Sequence, residues 1–215
     1  MSTIDCVIIV AGASCAGKTT FLKKLQGPDR PKLPTDLQAI DLAGFSVMNA
    51  MDLMTSAATE ACPRRIILHY DIFRPITFYD ALSFDIDPVL DLVWTARSKM
   101  VLTLWEDPDI LRERSVRRRR DLWKKVVRRS SLRHLRANVD EFVGARTRRN
   151  KMRPWFASRS RLWQLHESWF EFVSAAGVEE NWVIRPSDGM SFSALGSGRP
   201  TTPLWPMTPG GTKAN

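Results

Sequence analysis

Apolar residues along this chain recur in two alternating rhythms. Cys6-Val7-Ile8-Ile9-Val10 is a β-branched run that ends at Gly12 and predicts a strand, whereas Thr19 to Leu25 places its apolar residues at helical spacing. Gly27-Pro28-Asp29-Arg30-Pro31 breaks that helix, and Leu37 to Leu42 reads as a short second strand. Val47 to Ala61 predicts a helix with Val47, Met51, Met54 and Ala58 on one face, stopping before Pro63. Arg65 to Asp71 is a strand ending in a carboxylate, Pro88 to Arg97 suits a helix, and Met100 to Trp105 is another buried strand. Strands alternating with helices predict an α/β fold of three layers, a mainly parallel five-stranded sheet covered on both faces.

The second half is helical by pattern. Leu122, Trp123, Val126 and Val127 make one apolar stripe, and Leu132, Leu135, Val139, Phe142 and Val143 another, with arginines opposite. Leu162, Leu165, Trp169, Phe172 and Val173 mark a further helix closed by Gly177, and Trp182-Val183-Ile184 a last strand. Trp163 and Trp169 read as core residues. From Ser187 to Asn215, Gly, Pro, Ser and Thr supply 17 of 29 residues, which predicts a mostly irregular tail over 187–215, pinned by Leu204 and Trp205.

A length of 215 residues suits one α/β domain, over 1–186, rather than two. Three cysteines, Cys6, Cys15 and Cys62, are an odd number without C-x-x-C spacing, which argues against a disulfide framework or a zinc site and for a reducing compartment. No basic residue precedes the first apolar run and no stretch approaches the ~18 apolar residues of a membrane span, so a soluble cytoplasmic protein is expected. The net charge of +9 is unevenly placed: residues 112–153 hold 17 Lys/Arg and 4 Asp/Glu, a balance of +13, leaving −4 elsewhere. So concentrated a basic insert is either a solvated face or a contact for phosphates or another polyanion.

The segment AGASCAGKTT carries the most specific chemistry. Gly12, Gly17, Lys18 and Thr19 fit the spacing G-x-x-x-x-G-K-[ST], in which backbone N–H groups from Gly12, Ala13, Ser14, Cys15, Ala16 and Gly17 through Lys18, Thr19 and Thr20 turn inward around a phosphate chain. Lys18 then reaches the β- and γ-phosphates, the Thr19 hydroxyl binds Mg²⁺, and the following helix points its positive end at the anion. Cys15 reads as a loop side chain and not a nucleophile, because no His lies near it in sequence. His69 reads as a strand residue packed in the interior, and His134 and His166 lack metal-ligand spacing.

With that loop, the strand IILHYD followed by IFRP, the stretch VLTLWEDPDILRER and the Arg-rich insert before the final helix and strand, the chain resembles the P-loop kinases of small molecules and nucleotides, the group that includes shikimate, adenylate and nucleoside kinases. The resemblance spans residues 6 to about 186 and implies a P-loop NTPase fold in which 112–153 is an Arg-rich helical lid. It implies that Asp71 holds Mg²⁺ directly or through water, with Glu106 and Asp107 as competing carboxylates. Arg74 matches an arginine gripping the acceptor, although the family's intervening glycine and proline are absent and Pro75 follows. Arg114 falls where the family places a lid arginine. Arg117, Arg118, Arg119 and Arg120 cover nearly all sides of a helix, so at least one faces the nucleotide; Arg118 is carried forward as a candidate catalytic residue. Asp41 occupies the place of an acceptor-orienting carboxylate, with a surface or capping role as the alternative.

The activity implied is transfer of the γ-phosphate of Mg·ATP to an unidentified small acceptor. A nucleic-acid-directed P-loop kinase or ATPase, favoured by the basic insert, and a nucleotide-dependent switch or assembly factor stay open. No N-K-x-D motif for guanine is present, and the intact Lys18-Thr19 argues against a sulfotransferase.

Overall fold

A computed structural model of the chain describes residues 4–27, 42–129, 135–178, 180–188 and 191–195. Its centre is a six-stranded sheet of β1 (Cys6–Gly12), β2 (Ser46–Asn49), β3 (Arg65–His69), β4 (Ser98–Leu104), β5 (Glu180–Arg185) and β6 (Ser191–Leu195), in the order β2-β3-β1-β4-β5-β6. The first five strands are parallel and β6 runs antiparallel to β5. Helices α1 (Lys18–Gln26), α2 (Ala50–Ala58), α3 (Arg74–Tyr79), α4 (Pro88–Trp94), α5 (Pro108–Arg129), α6 (Leu135–Phe156) and α7 (Arg159–Ala175) connect them. The chain moves from β1 outward to β2 and then steps back across the sheet, so right-handed crossovers put α1 on one face and the connections after β2, β3 and β4 on the other. The α/β class and the parallel sheet agree with the alternating pattern, and β1, β3 and β4 are buried along most of their lengths, as strands covered on both faces must be.

Two expectations need correction. Residues 47–49 are not helical: with Ser46 they form edge strand β2, paired with β3 through Val47↔Ile67 and Asn49↔His69. The helix starts at Ala50 because the Asn49 side chain accepts hydrogen bonds from the amides of Met51 (2.8 Å) and Asp52 (3.0 Å). Ala50 and Leu53 are its buried residues, while Val47 and Met51 stay exposed. The sheet has six strands where five are expected: Ser191–Ala194 alternates polar and apolar residues, a period-two signal that the Gly/Pro/Ser/Thr content obscured, and Ser191–Leu195 forms β6. The second strand expected at 37–42 lies outside the described residues except for Leu42, which opens a 3₁₀ turn. Leu204 and Trp205 lie outside them too.

The described parts of the basic segment, residues 112–129 and 135–153, are helical, as their spacing predicts. The side chains of its two apolar stripes lie almost wholly outside the described residues. At its end α6 returns to the body of the protein: the Phe156 ring lies 5.1 Å from that of Phe73, and Lys151 Nζ binds Asp80 (2.8 Å) and donates to the Thr77 carbonyl (3.2 Å).

Helix α7 supplies the largest core residue. Trp169 is fully buried, stacks on Tyr70 (5.5 Å), meets Phe84 edge-on (5.1 Å) and donates its indole N–H to Thr103 Oγ1 at 2.9 Å. Gly177, at φ 63, terminates the helix as expected. His166, one turn before Trp169, is 2 % exposed. Its Nδ1 lies 2.7 Å from the Leu162 carbonyl, so Nδ1 carries the proton and Nε2 is a buried acceptor without a partner among the described residues. Burial, with the Lys18 charge opposing a second proton, pushes its pKa down to about 4. The unfolded chain therefore binds more protons than the folded one between pH 6.5 and about 4. Stability is lost as pH falls through that window, by on the order of 3 kcal/mol from this residue. Half-buried His69 is depressed in the same direction. Urea unfolding of the wild type and His166→Leu at pH 7 and 4.5 should show a smaller acid loss in the variant; equal losses would exclude His166 as a source.

Candidate functional site

Ligands of parallel sheets collect at the carboxyl ends of the strands, and there β1 runs into the Gly12–Gly17 loop and the first turn of α1. Gly12 (φ 152) and Gly17 (φ 96) take backbone conformations suited to glycine. At Gly12 the reason is also spatial, because a Cβ would stand 2.6 Å from the Leu104 carbonyl oxygen at the end of β4. Cys15 is left-handed as well (φ 72), a conformation that is uncommon for a residue with a side chain and that persists only where the surrounding turn enforces it. A turn with left-handed residues directly ahead of a helix N-terminus orients successive N–H groups toward one point, an arrangement that suits an anion.

Lys18 is the first residue of α1 and only 4 % exposed. Its ammonium folds back to donate to the carbonyls of Gly12 (2.6 Å) and Ala13 (2.8 Å), leaving one N–H for a further partner. Burial lowers its pKa; Asp71 and Cys15 oppose that shift and Arg118 adds to it. Thr19 and Thr20 follow, both exposed, and Ser14 and Cys15 are half-buried. All the loop residues singled out in the sequence are thus gathered at one edge.

Asp71 reaches the same place from β3. The pairing with β1 continues past the strand, Tyr70 N–H donating to Val10 O (3.0 Å) and Ile72 N–H to Gly12 O (3.2 Å). Alternation then sends Tyr70 to the α7 side and His69 and Asp71 to the other. Asp71 Oδ1 accepts from the Phe73 amide (3.1 Å), and Oδ2 lies 3.9 Å from Lys18 Nζ with the side chain 38 % exposed. His69, not singled out as a site residue by the sequence, stands near it; burial and the charges of Lys18 and Arg118 hold its pKa down at about 4 against the opposing pull of Asp71.

Arg74 turns into the body of the protein. Its side chain is 9 % exposed, its Nε lies 2.7 Å from the fully buried carboxylate of Asp87, and its guanidinium covers the Phe78 ring at 4.6 Å. Asp87 also accepts from Tyr70 Oη (2.9 Å) and from the Val89 amide (3.1 Å), where it caps α4. Burial and the Asp87 charge push the Tyr70 phenol well above its usual range. Arg74 thereby braces the turn after Asp71 from inside. Asp41 lies outside the described residues.

The described arginines of α5 separate into two groups. Arg114 Nη1 binds Oε2 of Glu106 at 2.8 Å, and Glu106 is wholly buried one residue past Trp105, whose amide donates to Ile184 O (2.9 Å). Arg118, one turn further and exposed, acts electrostatically on both Lys18 and His69. Arg117 instead lines a cleft of about 540 Å³ with Asp109, Arg112, Glu113 and Val116, on the opposite face of the helix. The side chains of Arg119 and Arg120 are not among those described. Asp107, the other carboxylate weighed for a metal, caps α5 through the Asp109 amide (2.8 Å) and pairs with Arg159 (3.2 Å).

The class these features define is an α/β protein with a parallel sheet and a glycine-built loop at its carboxyl edge. Comparison with family models, with curated proteins and with solved structures finds no match. Among the described residues no helix is long and apolar enough to cross a membrane, and no group of three or more His, Cys, Asp or Glu side chains is gathered to hold a metal.

Proposed function

We propose that the chain binds Mg·ATP in the Gly12–Thr20 loop and transfers the γ-phosphoryl group to a small acceptor. The observation that carries this reading is the meeting of buried Lys18, a left-handed turn at a helix N-terminus and the Asp71 carboxylate, 3.9 Å from the ammonium, at one sheet edge. In that role the loop amides hold the phosphate chain, Lys18 turns its ammonium toward the bridging oxygens, and Arg118 neutralises charge spread over the transferring group. The residues also fit Mg²⁺, which needs few protein ligands and keeps its waters: Asp71 Oδ2 and the Thr19 hydroxyl would hold it, and it would supply charge neutralisation between the phosphates. A three-carboxylate cluster is not required for such a site.

Asp71→Asn should leave ATP binding within about threefold while raising the Mg²⁺ concentration at half-maximal turnover about tenfold or more. Phosphate release from labelled ATP across a Mg²⁺ titration measures it. If Asp107→Asn gives that phenotype and Asp71→Asn does not, the metal belongs after β4.

One observation favours a second reading, a polyanion acting as acceptor or activator: Arg112, Arg117, Arg118, Arg146, Arg148 and Arg153 are all exposed on the basic helices. Binding of single-stranded RNA or DNA that weakens steeply with salt, by about one unit of log–log slope per phosphate contact, would support it.

A further inference from the structure

We infer that Glu106 is a positioning residue which, by holding Arg114, aims helix α5 so that Arg118 is the arginine presented to the anion at the Gly12–Gly17 loop. The inference rests on the phosphoryl-transfer reading and adds to it a division of labour among the lid arginines.

The physical chain begins at β4. Gly12 and Leu104 are in contact, so the loop and the end of β4 cannot move independently. Two residues on, Glu106 is 0 % exposed, and neither of its carboxylate oxygens has a hydrogen-bond partner among the described residues. A buried carboxylate with so few partners is costly unless an opposite charge meets it, and Arg114, 2.8 Å away and 39 % exposed, supplies that charge from α5. The helix is fixed at two further points: the Asp107 cap, itself tied to Arg159 of α7, and Leu111, which is fully buried.

These ties set the rotation of α5. Positions 111, 114 and 118 share one helical face and 109, 112, 113 and 116 the other, which lines the cleft. With Arg114 engaged by Glu106, Arg118, one turn further along the face that carries buried Leu111 and Arg114, is the next arginine on that face and has no partner among the described residues. Glu106 thus works at a distance, through Arg114 and the helix, without touching substrate.

The test compares Glu106→Gln, Arg114→Gln, Arg118→Ala and the double variant Glu106→Gln/Arg118→Ala, using the full chain, Mg·ATP with solvent water as the acceptor, and a fluorescent ATP analogue for binding. Arg118→Ala is expected to lower kcat about 10³-fold. Glu106→Gln and Arg114→Gln should each lower it about 10- to 100-fold, with KM and analogue affinity within about threefold. The double variant should be no slower than Arg118→Ala alone, because a residue acting through Arg118 has nothing left to position. Arg118→Ala, changed at an exposed position, keeps the test decisive if the variants at the Glu106–Arg114 pair do not fold. Multiplicative losses in the double variant, or losses in affinity equal to those in kcat, would overturn the inference. So would Arg118→Ala with wild-type turnover, an outcome that leaves the phosphate-loop reading intact. A wild-type chain that neither binds the analogue nor turns over ATP overturns both.

Discussion

Lys18→Ala is expected to abolish measurable ATP turnover and to weaken ATP binding by about two orders of magnitude or more. A hydrogen bond to a charged group contributes about 1.5–3 kcal/mol, and here one ammonium would serve several phosphate oxygens in a nearly water-free position. The loss has a second part that no contact with nucleotide reveals. Without ligand, Lys18 satisfies the Gly12 and Ala13 carbonyls at 2.6 and 2.8 Å. Removing it leaves each carbonyl with one backbone donor, Ile72 N–H on Gly12 and Ala16 N–H on Ala13, so only a small stability loss, about 1 kcal/mol, accompanies the functional one. Calorimetric titration with ATP and thermal unfolding of the same preparation separate the two effects. A folded variant that binds and turns over ATP like the wild type would remove the basis for the proposed activity.

The largest effect on stability is expected at Trp169. Trp169→Ala should cost about 3–5 kcal/mol, a large part of the ~5–15 kcal/mol that holds a domain folded. The indole fills the space between Tyr70 and Phe84, and its N–H satisfies Thr103 inside the sheet. Trp169→Phe keeps most of the aromatic surface while leaving the Thr103 hydroxyl without that donor, so it should fall between alanine and wild type. Urea unfolding midpoints give the comparison. A loss below ~1 kcal/mol in the alanine variant would mean that α7 does not close the core as described.

The consequences of a Trp169 change should also reach the site. Tyr70 stacks on Trp169, hydrogen-bonds Asp87 and directly precedes Asp71, so the position of the carboxylate depends on packing on the opposite face of the sheet. Arg74 belongs to that support. Its resemblance to an acceptor-binding arginine follows from spacing after Asp71, whereas its side-chain direction follows from Asp87, 13 positions later, offering a buried partner.

Local chemistry explains what is legible in the sequence. A strand covered on both faces must be continuously apolar, which marks β1, β3 and β4, and a helix with one buried stripe must repeat every three to four residues, which marks α7. The loop Gly12–Thr20 is readable for the same reason, since its backbone conformation needs glycine at fixed places. Edges are harder. β2 reads as helix because Val47 and Met51 also satisfy helical spacing, and only the Asn49 cap and pairing with β3 separate the two. β6 depends on a neighbour, β5, for its hydrogen bonds and is masked by a composition typical of loops.

From sequence alone, the chain's periodicity and its one glycine–lysine motif determined the α/β class, the alternation of elements and the residues of the Gly12–Thr20 loop, because each is encoded within a few consecutive positions. The order of the strands, the nearness of Asp71 to Lys18, the burial of Arg74 and the different partners of Arg114 and Arg118 were decided only in the tertiary structure. Each is a contact between charges or surfaces separated along the chain, and which of several identical arginines meets a carboxylate depends on helix rotation and burial, quantities that no short stretch of sequence contains.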